Sequence, residues 1–306
     1  MCGENVPMSG DGDGWVYCAQ GHRHWGRFGA AGLLIIEGQR AMLQHRAEWT
    51  HEGGTWALPG GARDSHEDPV ATALREASEE AGVEASTVTP LGWWCDDHGG
   101  WSYTTVVALA RDHITPRAAN AESTAVRWWS IAEIDSLPLH RGLSGAWPRL
   151  RRPPARLRLV VDAANVVGSR PDGWWHDRLG AARRLRNQLG ALARDGIAAP
   201  SLPSHVHVGG LDGLFPAMSL VVEGAARPLA GEPRDLAWWD GAITTYAAPR
   251  DGDASIVDLT RESVSSGEQV LVVSADRALR RQLDPAAHVA GPGWLIGRLP
   301  LARRQP

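Results

Sequence analysis

Residues 61–83 read GARDSHEDPVATALREASEEAGV, and at about 100° per residue a helix brings Glu76, Glu79 and Glu80 onto one face. Three carboxylates crowded on one turn repel one another, and a solvated face usually intersperses cations. Hard oxygen ligands so gathered suit one or more Mg²⁺ ions, which usually also contact substrate phosphates. Such an ion would neutralise the repulsion, bridge a diphosphate and activate a water. The plainer alternative is an exposed acidic helix.

The flanking residues say how such a helix is held. Asp68 suits an N-cap, Pro69 the first helical turn and Gly82 the C-terminal stop, which predicts a helix over 69–81. Val70, Leu74, Ala77 and Ala81 fall on the opposite side and can pack on a sheet. The order of fixed positions is Gly61, five residues, Glu67, seven residues, Arg75-Glu76, then Glu79-Glu80 and Gly82-Val83. This spacing resembles the Nudix box at every defined position, with Ala77 in the apolar slot and WALPGG as the lead-in.

The resemblance covers roughly residues 25–150. It implies an α+β Nudix fold, with a mixed sheet between helices, and hydrolysis of a nucleoside diphosphate linked to some moiety X, using Mg²⁺ or Mn²⁺. Carried over by position, Glu76, Glu79 and Glu80 hold metal with the Gly60 carbonyl, and Glu76 is a candidate general base. Arg75 and Glu67 brace the loop. Asp96, Asp97 and Glu122 are candidates for a separate distal acid. Trp93, Trp94 and Trp101 stand near the expected site, where they serve either as core or as a stacking surface for a base. No second motif marks a preference for NADH, coenzyme A or ADP-ribose, which leaves a MutT-like nucleoside triphosphatase as the generic expectation.

Upstream, Cys18, His22 and His24 stand at spacings a metal could use. A tetrahedral zinc site wants a fourth ligand. Cys2 could reach, but nothing demands it, so the stretch reads as a surface strand or turn carrying histidines.

A second acidic constellation follows. Asp162 ends the apolar run LRLVVD, Glu223 ends MSLVVE, Asp253 lies just ahead of a helix, and Asp276 follows VLVVSA. In an open parallel sheet, ligands bind beyond the carboxyl ends of the strands, so these acids can converge there. Each also has a local explanation: Asp253 and Asp276 as helix N-caps, and Asp162 to Asn165 as a polar turn.

VVDAANV and VVSADRALR resemble the PIN-like nucleases of the NYN type, over about 156–306. That resemblance implies metal-dependent cleavage of RNA by Asp162, Asp253 and Asp276, supported by Asn165 and Ser274, with Glu223 a weaker candidate. The family often shows two adjacent acids at the helix start, whereas Ala254 follows Asp253 here. The alternative is a non-catalytic module that binds a nucleotide, RNA or a partner.

The remaining features set the frame. A chain of 306 residues has the length of two domains. Its net charge of −4 argues against a broad non-specific nucleic-acid surface. All 31 basic residues are arginine, in a composition rich in Ala, Gly and Pro that suggests a bacterial source. Three cysteines, Cys2, Cys18 and Cys95, make no disulfide framework. Without a leader pattern or a long apolar run, the expected place is the cytoplasm and no membrane contact is expected.

In the first half, strands are expected at 29–38, 40–47, 101–110 and 125–131, with a short one at 55–61 ending in a Pro-Gly-Gly break. In the second, alternating strands (157–162, 218–223, 242–247, 269–274) and helices (177–194, 254–265, 277–283) predict an α/β, doubly wound parallel sheet. Residues 196–216 resist assignment. The expected organisation is an N-terminal segment 1–24, partly mobile, a Nudix domain 25–150, a linker 151–155 and a PIN-like domain 156–306. The sequence does not fix the oligomeric state.

Overall fold

Two short strands, β1 (Trp15–Tyr17) and β2 (Arg23–Trp25), pair as an antiparallel hairpin that straddles the boundary expected between residues 24 and 25. In the computed structural model, which describes residues 10–171, 173–232 and 243–300, the chain divides into two units. One is built on residues up to 153 together with 210–212, and the other on 154–209 and the chain from 213 onward. Cys2 and residue 242, the start of an expected strand, lie outside the described residues.

The first unit is organised on a mixed sheet. The apolar run β3 (Ala30–Glu37) turns at Gly38 into β4 (Arg40–Arg46), and the two pair antiparallel. β4 also pairs antiparallel with β5 (Trp56–Ala57) and with β9 (Ser123–Ser130). On its other side β3 runs parallel to β8 (Ser102–Ala110), which pairs antiparallel with β7 (Val88–Asp97).

The Gly60-Gly61 pair does not break the chain as expected. It forms β6 (Gly60–Ala62) against the start of β3. Small residues make this possible: a Cβ on Gly60 would come within 2.6 Å of the Ala31 carbonyl oxygen. β7 has no counterpart in the sequence reading. Its register shifts between Pro90 and Gly92, which breaks the period-two alternation that marks a strand.

The helix α1 (Pro69–Ala81) spans the expected residues, for the expected reasons. Asp68 Oδ1 accepts from the Val70 and Ala71 amides at 2.9 and 2.8 Å. At the far end Gly82 takes φ +65°, and its amide and that of Val83 close back on the Ser78 and Ala77 carbonyls. Val70, Leu74, Ala77 and Ala81 are buried, and α1 packs on β3, β6 and β8. A further helix, α2 (Arg141–Leu150), closes the unit with Leu143, Ala146, Trp147 and Leu150 buried on one stripe.

In the second unit β10 (Leu157–Asp162) leads directly into a helix, α3 (Ala163–Gly168), rather than the expected polar turn. Asp162 caps that helix, and Val166 and Val167 are buried by it. Then come α4 (Arg178–Asp195), a small antiparallel pair β11 (Ile197–Ala198) and β12 (Gly213–Leu214), β13 (Ala217–Val222) and β14 (Ile243–Ala247). The chain continues through α5 (Gly252–Ser265), β15 (Gln269–Val273), α6 (Arg277–Arg280), β16 (His288–Ala290) and α7 (Pro292–Ile296).

Five of these strands form a sheet in the order β14-β13-β10-β15-β16, every pair parallel. Val160, Val221, Val270 and Val272 pack with Ile256 of α5 on one face. The alternate residues Leu159, Val161, Leu220, Leu271 and Val273 are just as buried, and α3 and α4 pack against β13. Among the described residues no helix is long and apolar enough to cross a membrane.

Candidate active site

Arg75 is the hub between the glycine strand and the acidic helix. Its Nε and Nη2 donate to the two oxygens of Glu67 at 2.8 and 3.0 Å, and Nη2 also reaches the Ala62 carbonyl at 3.0 Å. Nη1 donates to Glu76 at 2.8 Å and to Glu79 at 3.3 Å. Glu67 further accepts from Thr72 Oγ1 at 2.9 Å and from the Asp64 amide at 3.3 Å. Hydrogen bonding from Arg75 outweighs partial burial and holds the Glu67 carboxyl down at about 2. The loop between β6 and α1 is thereby tied to the helix by a planar, two-pronged ion pair.

The three helix acids differ in environment. Glu79 is the outermost, its side chain 55% exposed. Glu76 is largely buried and presses on the glycine strand, where a Cβ on Gly61 would come within 2.5 Å of its Oε1. Glu80 is 2% exposed, not on a solvated face. Its Oε2 accepts from the Gly60 amide at 2.7 Å and from Gln44 Nε2 at 3.0 Å.

Burial, set against Arg75 and reinforced by Glu79 and Glu122, pushes Glu76 up to about 7. Burial again, opposed by the Gly60 amide and reinforced by Glu76 and Glu122, pushes Glu80 up to about 8. Like charges desolvated together are unfavourable without a compensating cation. An all-oxygen donor set of this kind fits a hard divalent ion.

Other expected residues fall at different places. Glu122 adds its charge to that around Glu76 and Glu80 and is the distal acid best placed to act with them. Asp96 meets His98 Nε2 at 3.2 Å, and Asp97 Oδ1 accepts from the Gly99 amide at 2.8 Å, so both serve the β7–β8 turn. Trp101 donates from Nε1 to the Gly26 carbonyl at 3.0 Å. It lines a surface depression with Arg27, Phe28, Arg63 and Asp97. Trp94 lies under the Arg149 guanidinium at 5.7 Å, apart from Trp101 in its partner, and the Trp93 main-chain carbonyl accepts from the Asp212 amide at 2.8 Å.

Gln44 and Tyr103 carry no motif and escape the sequence reading. Gln44 is buried on β4, where it donates to Glu80 and to the Leu58 carbonyl and accepts from Ser123. Tyr103 stands against the glycines, 2.8 Å from where a Cβ on Gly60 would sit. Burial, together with Glu80 and Glu76, raises its phenol well above the ordinary range. A Gln that directly continues the apolar run Ala41–Leu43 is the signal that could have flagged the first. The second has none.

In the second unit Asp162, Glu223, Asp253 and Asp276 come together beyond the carboxyl ends of β10, β13 and β15. Burial and then the charges of Glu223 and Asp276 raise Asp162, against the Asn165 amide and Ser274. Burial, Asp276 and Asp162 raise Asp253. Asp162 Oδ1 accepts from the Asn165 amide at 3.0 Å and Oδ2 from Ser274 Oγ at 2.9 Å. Asn165 Oδ1 accepts from the Ala275 amide at 2.9 Å.

Asp276 caps α6 through the Ala278 and Leu279 amides, as expected, and this lowers it. Asp253 is not a cap: Asp251 caps α5, and Asp253 stands in its first turn. Glu223 accepts from the Gly252 amide at 2.7 Å, which ties the end of β13 to the start of α5.

A family model described as NUDIX domain matches residues 26–150. A Mycobacterium tuberculosis protein with the provisional name 8-oxo-dGTP diphosphatase 3 is 51% identical over 165 residues, which is 50% of this chain and 75% of that protein. A Bifidobacterium longum nucleoside triphosphate pyrophosphatase/Nudix hydrolase fusion protein is 41% identical over 155 residues, 48% of this chain and 32% of that one. The crystal structure of a Nudix hydrolase from M. smegmatis, RenU, matches with 46% identity and a TM-score of 0.43, covering 46% of this chain and 93% of its own.

Proposed function

The chain belongs to the Nudix family and is a Nudix hydrolase, and from that premise we propose that it cleaves a phosphoric anhydride of a nucleoside triphosphate, releasing pyrophosphate, in a bacterial cytoplasm. The hydrolase is assigned to residues 25–150. The observation that carries this reading is the pair Glu76 and Glu80, both desolvated and pushed up to about 7 and about 8 beside the glycine strand.

Glu76, Glu79, Glu80 and the Gly60 carbonyl would hold Mg²⁺ or Mn²⁺. Such an ion, when bound, polarises phosphate oxygens and lowers the pKa of a bound water. Glu76 is the general base, taking the proton of the attacking water. Glu122 supports the charge of the cluster from outside the helix. Arg75 and Glu67 hold the loop in place and do not touch substrate. Phe28 and Trp101, in the depression beside the glycine strand, stack on the base. The name of the M. tuberculosis relative makes 8-oxo-dGTP the first substrate to assay.

The test is a Mg²⁺-supplemented screen of nucleoside triphosphates, oxidised and plain, read by pyrophosphate release. Turnover of at least one, lost in Glu80→Gln, supports the reading. Turnover of none sinks it.

For residues 156–306 the reading is a PIN-like domain of the NYN type whose acids Asp162, Asp253 and Asp276, with Glu223, Asn165 and Ser274, bind a divalent ion and cleave single-stranded RNA. Its support is the convergence of four acids at the strand ends, where parallel sheets bind ligands. One observation favours the second reading, a module that binds a nucleotide, RNA or a partner without cutting: both oxygens of Asp162 already accept, from the Asn165 amide and from Ser274, and Oδ1 of Asp276 accepts two helix amides. A short RNA incubated with Mn²⁺ separates the two. Cleavage abolished by Asp162→Asn selects the nuclease, and retention without cleavage selects the module.

A further inference from the structure

Cys18, His22 and His24 of the β1–β2 hairpin and His98 of the β7–β8 turn each offer a ligand atom, and all four atoms lie within 4.8 Å of one another. The hairpin is fastened to that turn by its backbone. The Ala19 amide donates to the Gly99 carbonyl at 2.7 Å, while the Cys18 amide closes the hairpin on itself by donating to the His22 carbonyl at 3.0 Å. Cys18 is buried and not in a disulfide.

Two nitrogens of this cluster are orphaned. His24 Nε2 is buried with no hydrogen-bond partner, and so is His98 Nδ1. A buried polar atom left so is unfavourable unless something else satisfies it. Both rings are nonetheless fixed. His24 stacks on Trp101 at 4.0 Å with an interplanar angle of 11°. His98 presents its other nitrogen to Asp96 at 3.2 Å. A carboxylate holding the far nitrogen of an imidazole is the usual outer support of a metal-ligating histidine.

We propose that Cys18, His22, His24 and His98 form a tetrahedral zinc site. One thiolate and three imidazoles suit Zn²⁺ and not the hard ion of an all-oxygen site. Four protein ligands close the coordination shell, so the site is structural. In a zinc tetrahedron, ligand atoms stand roughly 3.3–3.6 Å apart, so no pair of these atoms needs to close by more than about 1.5 Å on binding. The ion clamps the N-terminal hairpin to the β7–β8 turn. It thereby seats Trp101, whose ring touches the zinc ligand His24 and also lines the depression.

The test uses the full chain, prepared without chelator and titrated with Zn²⁺ in excess Mg²⁺, with bound metal read by mass spectrometry. About one zinc per chain is expected. Cobalt in its place should show the visible bands of a tetrahedral ion and thiolate-to-cobalt charge transfer in the near ultraviolet. Cys18→Ser should abolish the charge transfer. His24→Gln and His98→Gln should weaken zinc binding at least tenfold, and Asp96→Asn about tenfold.

Folded wild-type protein that takes up no zinc overturns the proposal, whatever the variants do. A cobalt spectrum without charge transfer overturns it as well. So does zinc affinity undiminished in both Cys18→Ser and His98→Gln, since the ion would then sit elsewhere.

Discussion

Glu80 Oε2 accepts the Gly60 amide at 2.7 Å, so the acidic helix and the glycine strand are registered against each other by one of the site's own acids. Gln44 supplies the second donor to the same oxygen. These two bonds let a carboxylate survive at 2% exposure, and burial still pushes it up to about 8. The bond that positions the acid therefore does not fully offset its desolvation, and a cation has something left to do.

Replacing Glu80 by Gln separates those two roles. The amide carbonyl can still accept from Gly60, so the fold should hold and the thermal midpoint should stay level or rise, because a carboxyl whose ionised form burial already disfavours gives way to a neutral amide of the same shape. The negative charge is lost, and kcat should fall roughly a hundred- to a thousandfold, about 3–4 kcal/mol of transition-state stabilisation. Pyrophosphate release at saturating Mg²⁺, beside a circular-dichroism melt, reads both. Wild-type turnover in this variant would remove Glu80 from the metal-binding set.

The Glu67–Arg75 pair predicts a pH dependence of stability. Glu67 is held at about 2, below its ordinary 4.5. A carboxyl depressed on folding adds stability that is complete above its unfolded value and fades as pH falls toward the folded one. Melts taken from pH 7 down to pH 3 should therefore lose stability below about 4.5. Glu67→Gln should be less stable at pH 7, by about 1–3 kcal/mol, and its loss on acidification should be shallower. Parallel pH curves for the two proteins would contradict this.

The helix α1 was legible because each of its signals is local: Asp68 and Pro69 at one end, Gly82 at the other, and the acids at fixed spacing between. The elements that escaped depend on partners distant in sequence. Gly60 and Gly61 read as a break, yet they are strand because Ala30–Gly32 offer a backbone free of bulk. β7 hides behind its register shift between Pro90 and Gly92. Asp251, not Asp253, caps α5, a choice between neighbouring acids that only the backbone turn decides. His98 lies between Trp94 and Trp101 in the sequence, but nothing in the sequence brings it to Cys18.

Gly82 should accept a side chain only at a cost in stability. Its φ of +65° is strained for any L residue, and a Cβ there would meet Arg117 Nε at 2.5 Å. Gly82→Ala should cost about 1 kcal/mol from the backbone alone, and somewhat more unless Arg117 swings clear. Urea midpoints measure the loss, while turnover of the folded fraction should persist because no ligand is removed. A midpoint equal to that of the wild type would show that the helix end relaxes freely.

Asp162 offers the cleanest test of the second unit, because Asn can take over most of its bonds. The Asn carbonyl still caps α3 through the Asn165 amide, and the Ser274 hydroxyl can rotate to accept from the new amide group. Asp162→Asn should therefore cost no more than about 1 kcal/mol in stability, while it removes one of the charges that, after burial and Asp276, raise Asp253. If the acids bind a metal and cut RNA, this variant loses Mn²⁺-dependent cleavage and keeps nucleotide hydrolysis, and Glu80→Gln does the reverse. If the domain binds without cutting, wild type and variant both leave the RNA intact, and the difference between them is confined to affinity in a filter-binding or fluorescence titration. Loss of nucleotide hydrolysis in Asp162→Asn, with the fold intact, would contradict both readings, since each assigns the two acidic sites independent work.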